Sequence, residues 1–343
     1  MGKLKIKNHY VPKVYLKQWA TGNKVYEYRL LVSHEKVQKW NRVSISNTAT
    51  VNYLYLYLEE GKLNDEMENY FSEEFEMKYS SFIEKVNNYK SLNDVDYEYI
   101  SKLVVGQFIR TLSGYSWAQN IVQETFPEIV EELVRKIEER METKGNLPKR
   151  ELEKIDKLLP LKLETLQDQE ENNFLKVETY AGKSTWLMSM KHLLGTTYKS
   201  LMATSWCIYD APANFYWATS DDPVILLNYY GKDDYDFKGG FGNIGTEIIF
   251  PLSPNKLLYT KIGDEFEELY VKASYSTANL FQKIIVEHAF SKVYSSEKSK
   301  IVTKMRKRTV DETKYKSADQ SLKDFHENYI NKEVPYLIEN KDL

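Results

Sequence analysis

One cysteine, Cys207, in 343 residues excludes an internal disulfide framework and predicts a chain suited to a reducing cytosol. Cys207 sits in the apolar stretch Ser205-Trp206-Cys207-Ile208-Tyr209, which reads as a buried structural thiol rather than a nucleophile. No apolar run reaches the roughly 18–20 residues that a bilayer-spanning helix needs. The opening Met1-Gly2-Lys3-Leu4-Lys5-Ile6-Lys7 is basic but lacks the apolar core and cleavage site of a secretion signal. Glycine is scarce, at 14 copies, and no glycine-rich phosphate loop is present. A Gly-X-Ser-X-Gly elbow, a paired-cysteine zinc site and a His-Glu-X-X-His pair are missing too. The five histidines, His9, His34, His192, His288 and His326, form no multi-histidine metal pattern.

Tyrosine is abundant, at 27 copies, in a chain that is 42% hydrophobic and 28% charged. Coding bias in an AT-rich bacterial genome accounts for that composition without any functional cause. The net charge of −3 hides two basic segments. Residues 1–42 carry ten Lys or Arg against two Glu, and residues 298–308 carry six Lys or Arg and no acid. Such segments suit a nucleic-acid backbone or an acidic partner; they serve equally as solvated faces opposite the acidic runs at 59–76 and 128–142.

The pattern predicts an α+β fold. Asn8 to Ala20 reads as a short helix with Pro12 in its first turn. Residues 24–30 and 35–45 read as strands, and the strict alternation of Tyr53 to Leu58 as another. Leu63, Met67, Phe71, Phe75, Phe82 and Val86 mark one face of a long helix. Asn93 or Asp94 can cap a second helix reaching about Leu112, and Pro127 opens a third. Leu152 to Leu175 reads as helix interrupted at Pro160, after a turn at Gly145 to Pro148. The C-terminal part returns to β: paired strands at 203–209 and 215–219, then 224–227, 246–250 and 256–261, with a mobile loop at 231–245 and a helix at 274–290. The expected architecture is a mixed or antiparallel sheet joining N- and C-terminal segments around a helical middle. Residues 1–296 form one domain with a helical insertion near 115–175, and 297–343 form a basic, partly helical extension.

The motifs Asn8-His9-Tyr10-Val11-Pro12, Gln107-Phe108-Ile109-Arg110, Thr219-Ser220-Asp221-Asp222-Pro223 and Pro251-Leu252-Ser253-Pro254 are separated in sequence yet polar and proline-marked. With Leu16, Trp19, Trp206 and the stretch Asn279 to Tyr294, they make the chain resemble the bacterial family called domain of unknown function 4238 over about residues 5–296. In that family Asn is more usual where Asp222 stands, leaving Asp221 the safer site candidate. The resemblance implies an intracellular bacterial protein linked to phage defence, with no assigned activity.

His9, ahead of a helix that Pro12 would start, is expected to be neutral and usable as a base or metal ligand, or else as a cap. Gln107 and Arg110 share an inward helix face. An inward Arg seeks a carboxylate or a phosphate, so it either pairs with Asp221 or holds a substrate phosphate. Asp221 and Asp222 end a strand, a common place for metal or acid–base chemistry and also for turns. Glu247 could complete a carboxylate set, although it lacks the Lys two residues on that a restriction-type Glu-X-Lys motif requires.

Two functions stay open. One is a nuclease-like phosphodiesterase acting on nucleic acid. There Asp221, Asp222 and Glu247 hold Mg²⁺ or Mn²⁺, and His9, Gln107 and Arg110 complete the catalytic set. The other is a non-catalytic binding or effector module, or a small-nucleotide sensor, in which the same motifs form an internal polar lock. Either could work with a protein partner or as a homo-oligomer. The two differ in one observable: an open convergent cleft, or buried and mutually paired groups.

Overall fold

The computed structural model describes residues 5–59, 62–144, 161–167 and 173–339. Its architecture is α+β, with two main sheets and helices packed against both faces of the larger one.

The larger sheet has six strands in the spatial order Asp234–Asp236, Ile225–Gly231, Glu247–Ser253, Lys256–Lys261, Cys207–Asp210, Tyr270–Lys272. Neighbours run antiparallel except the last pair, which is parallel. Side chains alternate across a strand, and both faces here are apolar. Ile208, Leu226, Ile248, Phe250 and Leu258 join the main core. Cys207, Ile225, Leu227, Ile249 and Leu257 pack with Phe281, Ile284 and Ile285 of the Tyr275–His288 helix. That double burial explains why these strands read as near-continuous apolar runs. The smaller, antiparallel sheet orders Thr219–Ser220, Lys292–Ser295, Lys24–Arg29 and Asn41–Ser44. It unites the two ends of the chain, as expected.

At the centre of the main core lies the Asp94–Ile109 helix, buried at Ile100, Leu103, Val104, Val105 and Ile109. It opens on the anticipated cap: Asn93 Oδ1 accepts the Asp96 N–H and Asp96 Oδ2 accepts the Asn93 N–H, both at 3.1 Å. This reciprocal pair satisfies two of the donors a helix start leaves free. Gly106 lets the 66–87 segment approach, since a Cβ there would sit 2.7 Å from Phe75 Cζ.

Several local expectations are corrected. His9 belongs to the strand Lys7–His9, paired with Thr50–Asn52, and the helix begins only at Lys13 with Pro12 as its N-cap. Tyr53 to Leu58 is not one strand: Tyr53 has φ of +58° and breaks it, and Leu54, Tyr55 and Leu56 are all buried. The long helix instead starts at Glu66, after a short strand at Lys62–Asn64, and carries a π-turn at Ser72–Glu76 that shifts the register of its apolar face. Pro127 lies inside a continuous Leu112–Lys144 helix rather than opening one.

Residues 161–167 and 173–179 form an antiparallel hairpin. The helix expected over 152–175 is replaced there by strands, in keeping with the period-2 run Leu161-Lys162-Leu163-Glu164-Thr165; the turn at 145–148 and the stretches 152–160 and 168–172 lie outside the described residues. The strands at 207–210 and 219–220 enter different sheets, and the loop 231–245 contains the strand Asp234–Asp236.

Candidate functional site

The separated motifs do meet in the fold, chiefly through buried hydrogen bonds. Gln107 Nε2 donates to the Tyr10 carbonyl at 3.0 Å. Arg110 Nη2 donates to the His9 carbonyl at 2.7 Å and to Glu76 at 3.3 Å, and the guanidinium lies 4.3 Å from the centre of the Phe71 ring. The expected Arg110–Asp221 ion pair is not formed. Asp221 instead accepts the Ser291 N–H with both oxygens at 3.0 Å, and the Ser291 hydroxyl as well. Asp222 turns the other way. Thr111 Oγ1 donates to it at 3.4 Å, and His288 Nε2 lies 3.6 Å from its carboxylate. The two acids lie in the bend that follows the strand Thr219–Ser220, and each is engaged with a different set of partners.

Glu247 is remote from both in its contacts. It lies in the six-stranded sheet opposite Leu227 and Lys261. Burial pushes its carboxyl up, while a hydrogen bond with Tyr259 and the charge of Lys261 pull it down. Among the described residues, no group of three or more His, Cys, Asp or Glu is arranged to hold a metal ion. The expected Asp221–Asp222–Glu247 set is therefore not assembled, because the three side chains are engaged with different sets of partners.

His9 is neutral at pH 7, though for a different reason from the one expected. Burial lowers it from 6.5 to about 4, with the charges of Lys13 and Arg110 adding to the effect and a hydrogen bond to the Ile45 backbone opposing it. No helix terminus is involved. His9, Gln107, Arg110, Asp221 and Asp222 are each at most 8% exposed, too little for a substrate atom to reach them. Burial also pushes both aspartates up; the Ser291 contacts and the charge of His288, respectively, hold them down. These groups tie the first strand, the central helix, the smaller sheet and the Tyr275–His288 helix together. Buried polar groups are costly unless bonded, so such a network selects one register.

Beside this lock lies a cavity of about 450 Å³, within the range of small-ligand sites. Tyr10 and Ser291 bring the motif region to its wall, and Leu112, Tyr115 and Ser116 come from the start of the long helix. Lys183 stands at the first turn of the Lys183–His192 helix, and Phe325, Tyr329 and Glu333 close the cavity from the C-terminal segment. Tyr10 is 3% exposed. Burial and the nearby charges of Asp221 and Glu27 keep that phenol protonated.

Lys183 is buried, with Nζ donating to the Tyr53 carbonyl at 2.6 Å and lying 4.7 Å from the Tyr329 ring centre. Burial lowers its ammonium from 10.5 to about 7, against the opposing charge of Glu333. None of Lys183, Ser291, Tyr329 or Glu333 was singled out from sequence. The available signal was Gly182-Lys183-Ser184-Thr185 following a strand and opening a helix, a fragment too short to stand out unaided.

Fold and site together define an α+β protein with a buried polar lock and an adjoining aromatic cavity. The chain belongs to the family described as Protein of unknown function (DUF4238), whose model matches residues 7–299. No curated protein and no solved structure matches it. Among the described residues, no helix is long and apolar enough to cross a membrane.

Proposed function

We propose that this chain is a ligand-binding module, a sensor for a small molecule with a planar ring and an acidic group, nucleotides being the matching chemical class. One contrast carries the reading. The residues expected to do chemistry are buried and engaged with their own fold, whereas the cavity beside them is lined by Tyr10, Tyr115, Phe325 and Tyr329 with Lys183 in its wall. Rings stack on aromatic side chains at roughly 1–3 kcal/mol each, and a cation answers the acid. The lone buried thiol and the resemblance support placing the module in the bacterial cytoplasm as the sensing part of a defence effector.

The test is calorimetry with the four common ribonucleosides and their 5′-monophosphates, alongside Leu112→Trp to fill the cavity. Binding of one or more compounds by the parent, lost in the folded variant, supports the module; no binding by any of the eight sinks it. Metal-dependent cleavage of nucleic acid is the competing activity, disfavoured by the dispersal of Asp221, Asp222 and Glu247. Labelled DNA and RNA with Mg²⁺, Mn²⁺ or EDTA should stay intact. Cleavage abolished in a folded Asp221→Ala protein would restore the hydrolase.

A further inference from the structure

The cavity is built from two parts of the chain. Its inner wall, with Tyr10, Leu112, Tyr115, Lys183 and Ser291, lies within the family match at 7–299. Its cover, the Glu312–Asn328 helix and the turn after it, lies beyond that match. Ala318, Ser321, Leu322, Phe325 and Asn328 line the cavity from the cover. Steps of three and four residues place them on one helix face.

This cover is fastened at both ends and loose between them. At its start the strand Thr309–Val310 pairs in parallel with Leu31–Val32, and the Asp311 N–H donates to the Val32 carbonyl at 2.9 Å. Asp311 then caps the helix by accepting the Lys314 N–H at 2.9 Å. At its end the Tyr329 hydroxyl accepts the Leu58 N–H at 2.8 Å, and Glu333 accepts the Lys183 and Ser184 N–H groups at 2.7 and 2.6 Å. Tyr329 and Glu333 are each 2% exposed. Between these fastenings no residue of the helix is buried, and Leu322 is 41% exposed although it lines the cavity. The apolar face of this helix therefore looks onto open space where another helix would meet a core.

Most of a helix's stability in a folded protein comes from packing that face, not from propensity. The exposed pairs Lys316–Glu312 and Lys323–Asp319 add little. Segments with few buried apolar contacts open locally, at far lower cost than the whole fold. We propose that the Glu312–Asn328 helix is a gate: it melts locally between its two fastenings, admits a small molecule to the cavity and re-forms over it. The inference rests on the ligand-binding reading and adds how that site is entered and closed. A bound ring supplies the apolar surface that the helix face lacks, so ligand and closed gate stabilise each other.

The experiment is thiol labelling of the full-length Leu112→Cys protein, with the buried Cys207 as the internal marker of global unfolding. Leu112 lies on the inner wall and is 8% exposed, so reagent reaches that position through the gate. The introduced thiol should react about tenfold or more faster than Cys207. Ser317→Gly with Gln320→Gly, both at exposed positions of the helix, lowers helix propensity and should speed that labelling about fivefold. Equal rates at the two thiols overturn the gate. So does a fast rate that the glycine pair leaves unchanged, because the cavity would then be open without any movement of the helix. Should Leu112→Cys fail to fold, hydrogen exchange of the parent carries the test. Amides of 316–328 should exchange about tenfold or more faster than those of the Asp94–Ile109 helix, and equal protection overturns the gate. Nucleoside binding by the parent alongside any of these failures leaves the ligand-binding module standing. Absence of nucleoside binding overturns the module and the gate together.

Discussion

Replacing Arg110 by Met separates a structural arginine from one held for a substrate. The side chain is 1% exposed. Its bond to the His9 carbonyl, at 2.7 Å, is charge-assisted and contributes about 1.5–3 kcal/mol. The Glu76 contact, at 3.3 Å to a side chain 24% exposed, adds under about 1 kcal/mol once solvent screening is counted. The desolvated stacking on Phe71, at 4.3 Å, adds about 2 kcal/mol. Met fills much of the volume, and the cost of burying a guanidinium disappears; the nearby Glu68 and Glu76 carboxylates are left without a counter-charge. The net expectation is a loss of about 3 kcal/mol, the lower end for breaking a buried pair.

Urea denaturation followed by tryptophan fluorescence measures it through a lower midpoint at unchanged slope. Arg110→Lys should lose about half as much, keeping the charge without the fork. An Arg110→Met protein within about 0.5 kcal/mol of the parent would refute the lock and return Arg110 to a role in binding or catalysis.

Two further outcomes follow from the same network. Because His9 has a folded value of about 4 against 6.5 when unfolded, the unfolded chain binds the proton first. Its contribution is fully present above about pH 6.5 and is lost as pH falls toward 4. At about 1.4 kcal/mol per tenfold in proton affinity that is about 3 kcal/mol, to be read as the difference between the parent and His9→Gln in urea melts at pH 7, 5.5 and 4.5. An equal pH dependence in both proteins would rule it out. Gly106→Ala gains about 1 kcal/mol of helix propensity but drives a Cβ to 2.7 Å from Phe75 Cζ, so it should destabilise by about 1–2 kcal/mol net. Phe75→Leu in the same chain should recover part of that loss, and a stabilised Gly106→Ala would show that the close approach is not rigid.

What could be read in advance was whatever has a local physical cause. Asn93 capped its helix because the cap needs only a side chain three residues from an amide. The 24–30 and 256–261 strands and the 275–288 helix followed from periodicity. Failures came where a distant contact overrode the local pattern. Tyr53 to Leu58 alternates like a strand, yet Tyr55 donates its hydroxyl to the Arg110 carbonyl at 2.7 Å, and all of Leu54, Tyr55 and Leu56 turn inward. Pro127 signals a helix start, yet the surrounding helix runs through it.

The candidate site divides in the same way. Residue order alone determined that His9, Gln107, Arg110, Asp221 and Asp222 belong to marked motifs, and their resemblance named the family. Only the tertiary structure decided that Arg110 meets a backbone carbonyl instead of Asp221, that Asp221 and Asp222 diverge, and that Glu247 lies elsewhere. It alone brought Glu333 onto the amides of Lys183 and Ser184, about 150 residues away. Propensity, capping and periodicity act over a few residues and are written in sequence. Burial, charge pairing and the shape of a cavity depend on which surfaces the folded chain places face to face.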